Sequence, residues 1–324
     1  SVANRLDNLV PASGHLRHMP THIYIQTGDW NRAIVQNAEA MGSDAAYRAR
    51  APGRTTQIGY QIHNAHMLSF AAMMSARRNE AMAAARAMWS MWEGLPEDTA
   101  AKELEGLAGF VDTVMSAVYD VHKRFGDWDA LLAEREPTRI DLLPITQAVR
   151  HASRAIALAN KGQIDDAEKE FERFKGLRGA FKPEHQFRAD KAAMVLEVSL
   201  HFVQGEIELN RQNWEQAAKH LRKAIKIEDA LAYTEPPQYL QPTRHALGAV
   251  LLKDGKPKQA ARVYRRDLLE WPNNAWSLHG LMRALERQDE QGAAARVEAR
   301  FKKFTQFSDF AVDSSCPCLP NPLS

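Results

Sequence analysis

Five of the twelve histidines in the chain fall in two short runs. The first is Gly14-His15-Leu16-Arg17-His18-Met19-Pro20-Thr21-His22-Ile23-Tyr24, and the second is Tyr60-Gln61-Ile62-His63-Asn64-Ala65-His66. On a helix, residues three, four and seven apart share a face, so His15, His18 and His22 line up, and so do His63 and His66. Neutral imidazole nitrogens ligate Zn, Cu, Ni or Fe at about 2.0–2.1 Å. If both runs lie on neighbouring helices, they face each other across about 8–10 Å. The pattern therefore points to a transition-metal site, Cu or Zn first, drawn from His15, His18, His22, His63 and His66. A packed polar cluster is the competing reading, and a small-molecule or peptide-anion site is a third. Pro20 interrupts the simple helical wheel, because proline removes a helical hydrogen bond and disfavours helix at Met19. Residues 15–19 and 21–27 are thus expected as two segments, and the kink decides which imidazoles meet. Protons should compete with the metal as pH drops through about 6.5.

Cys316 and Cys318 flank Pro317 near the C-terminus. Two thiolates two residues apart chelate a soft ion, so they join the ligand candidates if the tail folds back. The alternative is a free tail with no role. Glu235, Arg244 and His245 are candidates for an anion pocket. His151, His201 and His245 sit on expected first helices of hairpins, whereas His122, His185 and His220 read as packing or capping residues. There is no Gly-rich phosphate loop, no Gly-x-Ser-x-Gly elbow and no His-Glu-x-x-His pair, so no nucleotide cofactor is expected.

The elements that must hold these residues are helical. Leu247-Gly248, Leu251, Gly255, Ala260, Tyr264 and Pro272 follow the tetratricopeptide grammar of small and large residues on a helix–turn–helix. Trp276 and Gly280 begin the next unit. The same turn signals recur at Gly28-Asp29-Trp30, Arg78-Asn79, Gly126-Asp127-Trp128, Gly162-Gln163 and Asn213-Trp214. First helices are expected from about residue 142 and about residue 187. A single hairpin cannot bury its apolar face, but stacked neighbours can. The fold expected is all-α: a TPR-like right-handed helical-repeat solenoid of about seven helix hairpins over residues 1–304. Its concave face should be lined mainly by first helices. Residues 305–324 lack helical period and form a non-helical tail with Cys-Pro-Cys.

Composition narrows the partners. The net charge of +2 gives no basic stripe for nucleic acid. No apolar run reaches the eighteen residues a membrane span needs. A soluble protein is expected, the cytoplasm slightly favoured. The start, Ser1-Val2-Ala3-Asn4-Arg5, shows neither an initiator Met nor a signal-peptide pattern, and reads as a processed or cut end.

The chain resembles, over nearly its whole length, a family of largely uncharacterised bacterial tetratricopeptide-repeat proteins. His15 through Tyr24, His63-Asn64-Ala65-His66, Glu235-Pro236-Pro237, Arg244 through Ala249 and Trp276 through Leu281 carry the resemblance. It implies the fold and transfers no reaction. Two functions are in contention. One is a repeat protein with a histidine metal site on its concave face, a metalloenzyme in its catalytic version. The other is a metal-free scaffold whose concave groove binds a peptide or protein.

Overall fold

The computed structural model describes residues 3, 6, 9–50, 58–97, 99 and 101–319. Ser1, Val2, Asn4 and Arg5 at the start, and 320–324 of the expected tail, lie outside the described residues.

Helices dominate, and they come in successive pairs. The first hairpin is α1 (Gly14–His18) with α2 (Pro20–Thr27), returning along α3 (Trp30–Arg50). Next come α4 (Ile58–Met74) with α5 (Arg78–Glu93). A helix α6 (Ala101–Val111) then precedes the short pair α7 (Ala117–Phe125) and α8 (Trp128–Ala133). Four regular hairpins follow: α9 (Pro144–Asn160) with α10 (Ile164–Gly179), α11 (Ala192–Asn210) with α12 (Trp214–Glu228), α13 (Thr243–Lys253) with α14 (Pro257–Glu270), and α15 (Ala275–Glu286) with α16 (Gln291–Phe304). Among the described residues this is the all-α, TPR-like array of about seven hairpins that the repeat grammar predicts.

One expected boundary is wrong. The stretch from residue 187 is not yet helix: β1 (Gln186–Phe187) and β2 (Asp190–Lys191) pair antiparallel, and the helix starts at Ala192. Arg188 lies in the left-handed region at φ 55° and turns the chain between the two strands.

The α13–α14 hairpin shows how side-chain size sets the packing. Tyr264 is fully buried. A Cβ added at Gly248 would stand 2.2 Å from its ring, and one at Gly280 would stand 2.3 Å from it. The ring is therefore held between two helices that can approach only because they present glycine there. Ala260, one turn before Tyr264 on α14, is also fully buried.

The array closes on itself. One apolar cluster joins α9–α14 to the tail, and a second joins the first three hairpins to Trp271, Ala275 and Trp276 from the far end of the chain. Trp30 Nε1 donates to Pro272 O at 3.0 Å, and Trp276 Nε1 donates to Met73 O at 2.8 Å. The described part of the tail, 305–319, is non-helical and docked. The Asp309 carboxylate accepts from the Arg78 and Asn79 amides at 2.6 and 2.9 Å, neutralising free N–H groups at the start of α5. Phe310 packs edge-on to Phe125 and against Trp276. No helix among the described residues is long and apolar enough to cross a membrane.

Candidate metal centre

The break between α1 and α2 falls where Pro20 demands it. Pro20 is the first residue of α2, where its missing N–H is no loss. α1 lies tight against α3 because Gly14 has no side chain: a Cβ there would stand 2.1 Å from the Asp44 carboxylate. Asp44 in turn accepts from Asn64 Nδ2 on α4 at 2.8 Å. These contacts bring the two histidine runs together. Between Gln61 and Ala76 every residue is buried except His63, which is half-buried and faces the cavity beside α1 and α2.

His18, His22 and His63 place one ring nitrogen each within 4.8 Å of the others. The ring centroids of His18 and His22 are 4.7 Å apart, as are those of His18 and His63. His18 Nδ1 lies 2.9 Å from Asn37 Oδ1. The Asn37 amide is oriented by its Nδ2, which donates to Ala33 O at 2.8 Å, so its oxygen faces the ring and His18 Nδ1–H must donate to it. His22 Nδ1–H donates to the Glu235 carboxylate. With both Nδ1 positions carrying the proton, both Nε2 atoms present lone pairs, and these stand 3.0 Å apart. Two lone pairs at that distance repel unless a cation lies at them. Three nitrogens around a tetrahedral ion at about 2.0–2.1 Å would stand about 3.3 Å apart, within reach of small side-chain rotations here.

A proton held between the two rings or a metal ion can be that cation, and burial works against the proton at His18. Burial lowers the His18 pKa to about 4, with Asn37 opposing and His22 and His15 adding to the fall. His63 falls to about 3 through burial, reinforced by His18, Arg188 and His22. Both rings are therefore neutral, the ligand form, well below the pH of 6.5 at which the sequence expects protons to compete.

Of the residues that hold this arrangement, the sequence singled out Glu235, for an anion pocket, and gave no signal for Asn37, Gln26, Tyr233 or Arg188. Glu235 comes from the loop between α12 and α13, with no spacing relation to His22. Its Oε1 accepts from Gln26 Nε2 at 2.8 Å and from the Tyr233 hydroxyl. Burial pushes the Glu235 carboxyl up, but His22, Tyr233 and Gln26 outweigh it and leave the pKa below the ordinary carboxylate value. Arg188 clamps the same loop, donating to Pro236 O at 2.7 Å and to Glu235 O at 2.9 Å. A cavity of about 520 Å³ opens beside the trio, walled by Met19, Tyr60, Phe110 and Arg188.

The remaining candidates do not join the trio. His15 is exposed at the mouth of the same cavity, packs on Tyr60 at 4.6 Å between centroids and lies 5.9 Å from the His18 ring. His66 is fully buried with neither ring nitrogen bonded, and does not join the three. Arg244 pairs with Asp229 and His245 with Asp267, so neither makes an anion pocket with Glu235. The tail does fold back, yet its sulfurs miss the histidines: Cys316 and Cys318 are bonded to each other and lie against Glu206. The reason is the anchoring of Ser315, which accepts from Arg124 at its carbonyl and donates its hydroxyl to His245 O.

A tetratricopeptide-repeat family model matches residues 243–275, the α13–α14 hairpin with its Gly248–Tyr264 contact and the first residue of α15. No curated protein matches the chain.

Proposed function

We propose that this TPR-like repeat protein binds a transition-metal ion, zinc or copper, on His18, His22 and His63, with a further coordination position facing the adjoining cavity. The observation that carries the reading is the pair of Nε2 atoms 3.0 Å apart, each on a ring whose Nδ1 faces an acceptor oxygen. A histidine whose second nitrogen donates to a carboxylate or amide oxygen is the usual partner arrangement of metal-bound imidazole. Three imidazoles with an open position permit Lewis-acid chemistry or activation of a bound water. The chain's own residues supply the rest. Glu235 orients His22 and raises its basicity, Asn37 orients His18, and Arg188 holds the Glu235 loop in register. The apolar walls of the cavity suit a small ligand with an apolar body.

Metal analysis of untagged protein, loaded with zinc or copper and desalted, is the test. One ion per chain is expected in wild type, with clear loss in His22→Ala and in His63→Ala. Wild type that retains no stoichiometric ion overturns the reading.

Partner binding is a second reading, supported by the general role of tetratricopeptide repeats and by one cleft. The first helix of the matched repeat, α13, is buried from Thr243 to Leu252, so a peptide has no access to it. A separate cleft between α10, α11 and α12 is lined by Met194, Ile227, Lys223 and Lys226, with Arg178 and His201 paired to Glu197 on its wall. Its apolar floor and the two lysines fit an acidic peptide.

A further inference from the structure

A second cluster of donors lies away from the histidines, in the other apolar core. Glu206, Cys316 and Cys318 are each almost completely buried, and one donor atom of each lies within 4.8 Å of the others. A carboxyl group in a helical core needs an explanation, because burying one without compensation is costly. Glu206 Oε2 accepts from Asn160 Nδ2 at 3.2 Å, while Oε1 faces Cys316 Sγ at 3.7 Å. While the sulfurs are joined in a disulfide, Cys316 has no proton to offer that oxygen. Burial pushes the Glu206 pKa up to about 7.

The segment carrying the sulfurs is built to be held there. Tyr264 and Ser315 hydroxyls lie 2.7 Å apart, Arg124 donates to Ser315 O at 2.9 Å, and Cys316 N donates to Ser314 Oγ at 3.2 Å. Charge fits as well. Two thiolates and one carboxylate carry three negative charges; a divalent ion cancels two, and Lys123 and Arg124, the latter shared with Asp267, are the cations that act on Glu206.

We propose that reduction of the Cys316–Cys318 bond opens a second metal site, in which both thiolates and Glu206 bind zinc. The step is balanced with a dithiol as reductant. The Cys316–Cys318 S–S bond breaks, the dithiol closes to its own disulfide, and its two protons pass to the protein sulfurs. Zinc then displaces those two protons to solvent. Zinc–sulfur bonds of about 2.3 Å and a zinc–oxygen bond of about 2.0–2.2 Å separate the donors by roughly 3.5–3.8 Å; Glu206 Oε1 already stands 3.7 Å from Cys316 Sγ, and the two sulfurs, now bonded to each other, move apart on reduction. Carboxylate beside thiolate favours zinc over cuprous copper, which prefers sulfur alone.

The experiment uses full-length His63→Ala protein, so that the histidine site does not contribute. Zinc is titrated against a chromophoric chelator, with the protein either oxidised or reduced under a non-binding phosphine, and cobalt(II) is added as a spectroscopic probe. Reduced protein should bind one zinc that oxidised protein does not, and cobalt should show thiolate charge-transfer absorption. Cys318→Ser should abolish both signals, and Glu206→Gln should weaken zinc at least tenfold without touching a thiol. Equal zinc uptake in the two redox states, or uptake unchanged in Cys318→Ser, would overturn the proposal. If reduced wild type binds the extra ion but reduced His63→Ala does not, the thiols belong to the histidine site and the separate site is wrong. Loss of zinc from oxidised wild type concerns the histidine trio alone.

Discussion

A neutral imidazole offers one lone pair, and the partner of its other nitrogen decides which one. Asn37 makes that choice for His18 and Glu235 makes it for His22. Glu235 never touches the ligand position, so its replacement isolates orientation from ligation. Glu235→Gln should lower zinc affinity by about 10–100-fold while leaving one ion per chain at saturation. A titration showing unchanged affinity would remove Glu235 from the account. The ligand residue types were legible in the sequence, since the three- and four-residue spacing of histidines is a local signal. The supporting contacts were not. His22 and Glu235 are 213 positions apart, and nothing in a local pattern links them. Nor could spacing tell that His15 would stop at the exposed mouth of the cavity or that His66 would be buried in the core, because α4 is buried on nearly every side.

Among the elements, the tight hairpins and the docked tail carry the strongest expectations. Tyr264 fills the space between Gly248 and Gly280, so an added methyl at either glycine must displace the ring or part the helices. Gly280→Ala should destabilise by about 1–3 kcal/mol through overpacking, and Ala260→Phe by a similar amount. Denaturant midpoints that do not move would contradict the packing described. Here the sequence was informative, because small residues opposite one large ring are what the repeat grammar encodes. A tail that folds back was among the expectations from the sequence, but where it docks was not legible there. That it docks follows from Asp309 meeting the start of α5 and Phe310 meeting Phe125 and Trp276, contacts between segments more than 180 residues apart or on the opposite end of the array. Phe310→Ala should cost about 2 kcal/mol and hasten proteolysis after residue 305. Protease resistance equal to wild type would argue that Phe310 does not hold the tail.

Across the whole molecule, buried titratable groups of opposite sign set the pH of greatest stability. His18, His63 and His279 have pKa values lowered by burial to about 4, 3 and 4, and burial also depresses His66 and His245. Below pH 6.5 the unfolded chain takes up protons that these folded rings refuse, so stability falls as pH drops toward 4. Glu206, Glu228 and Asp112 are raised by burial to about 7, 8 and 6. Their folded carboxyls hold protons that the unfolded chain releases. That stabilisation is complete below the unfolded value near 4.5 and is lost as pH rises through 6–8. His220 is lowered too, and Asp44 and Glu270 are raised, so six histidines stand against five carboxyls on the acid side. With chelator present, the urea midpoint should therefore peak between about pH 6 and 7 and decline on both sides. A midpoint that climbs steadily from pH 5 to 9 would contradict this.

The same closed array brings the Glu235 loop onto the N-terminal histidines, so the central claim concerns a site assembled from distant parts of one chain. X-ray absorption at the zinc edge, on oxidised protein carrying one equivalent after desalting, reads that site directly. The account predicts a first shell of nitrogen and oxygen only, at about 2.0–2.1 Å, with the multiple scattering of three imidazoles. A sulfur shell at about 2.3 Å, or no zinc retained after desalting, would contradict it.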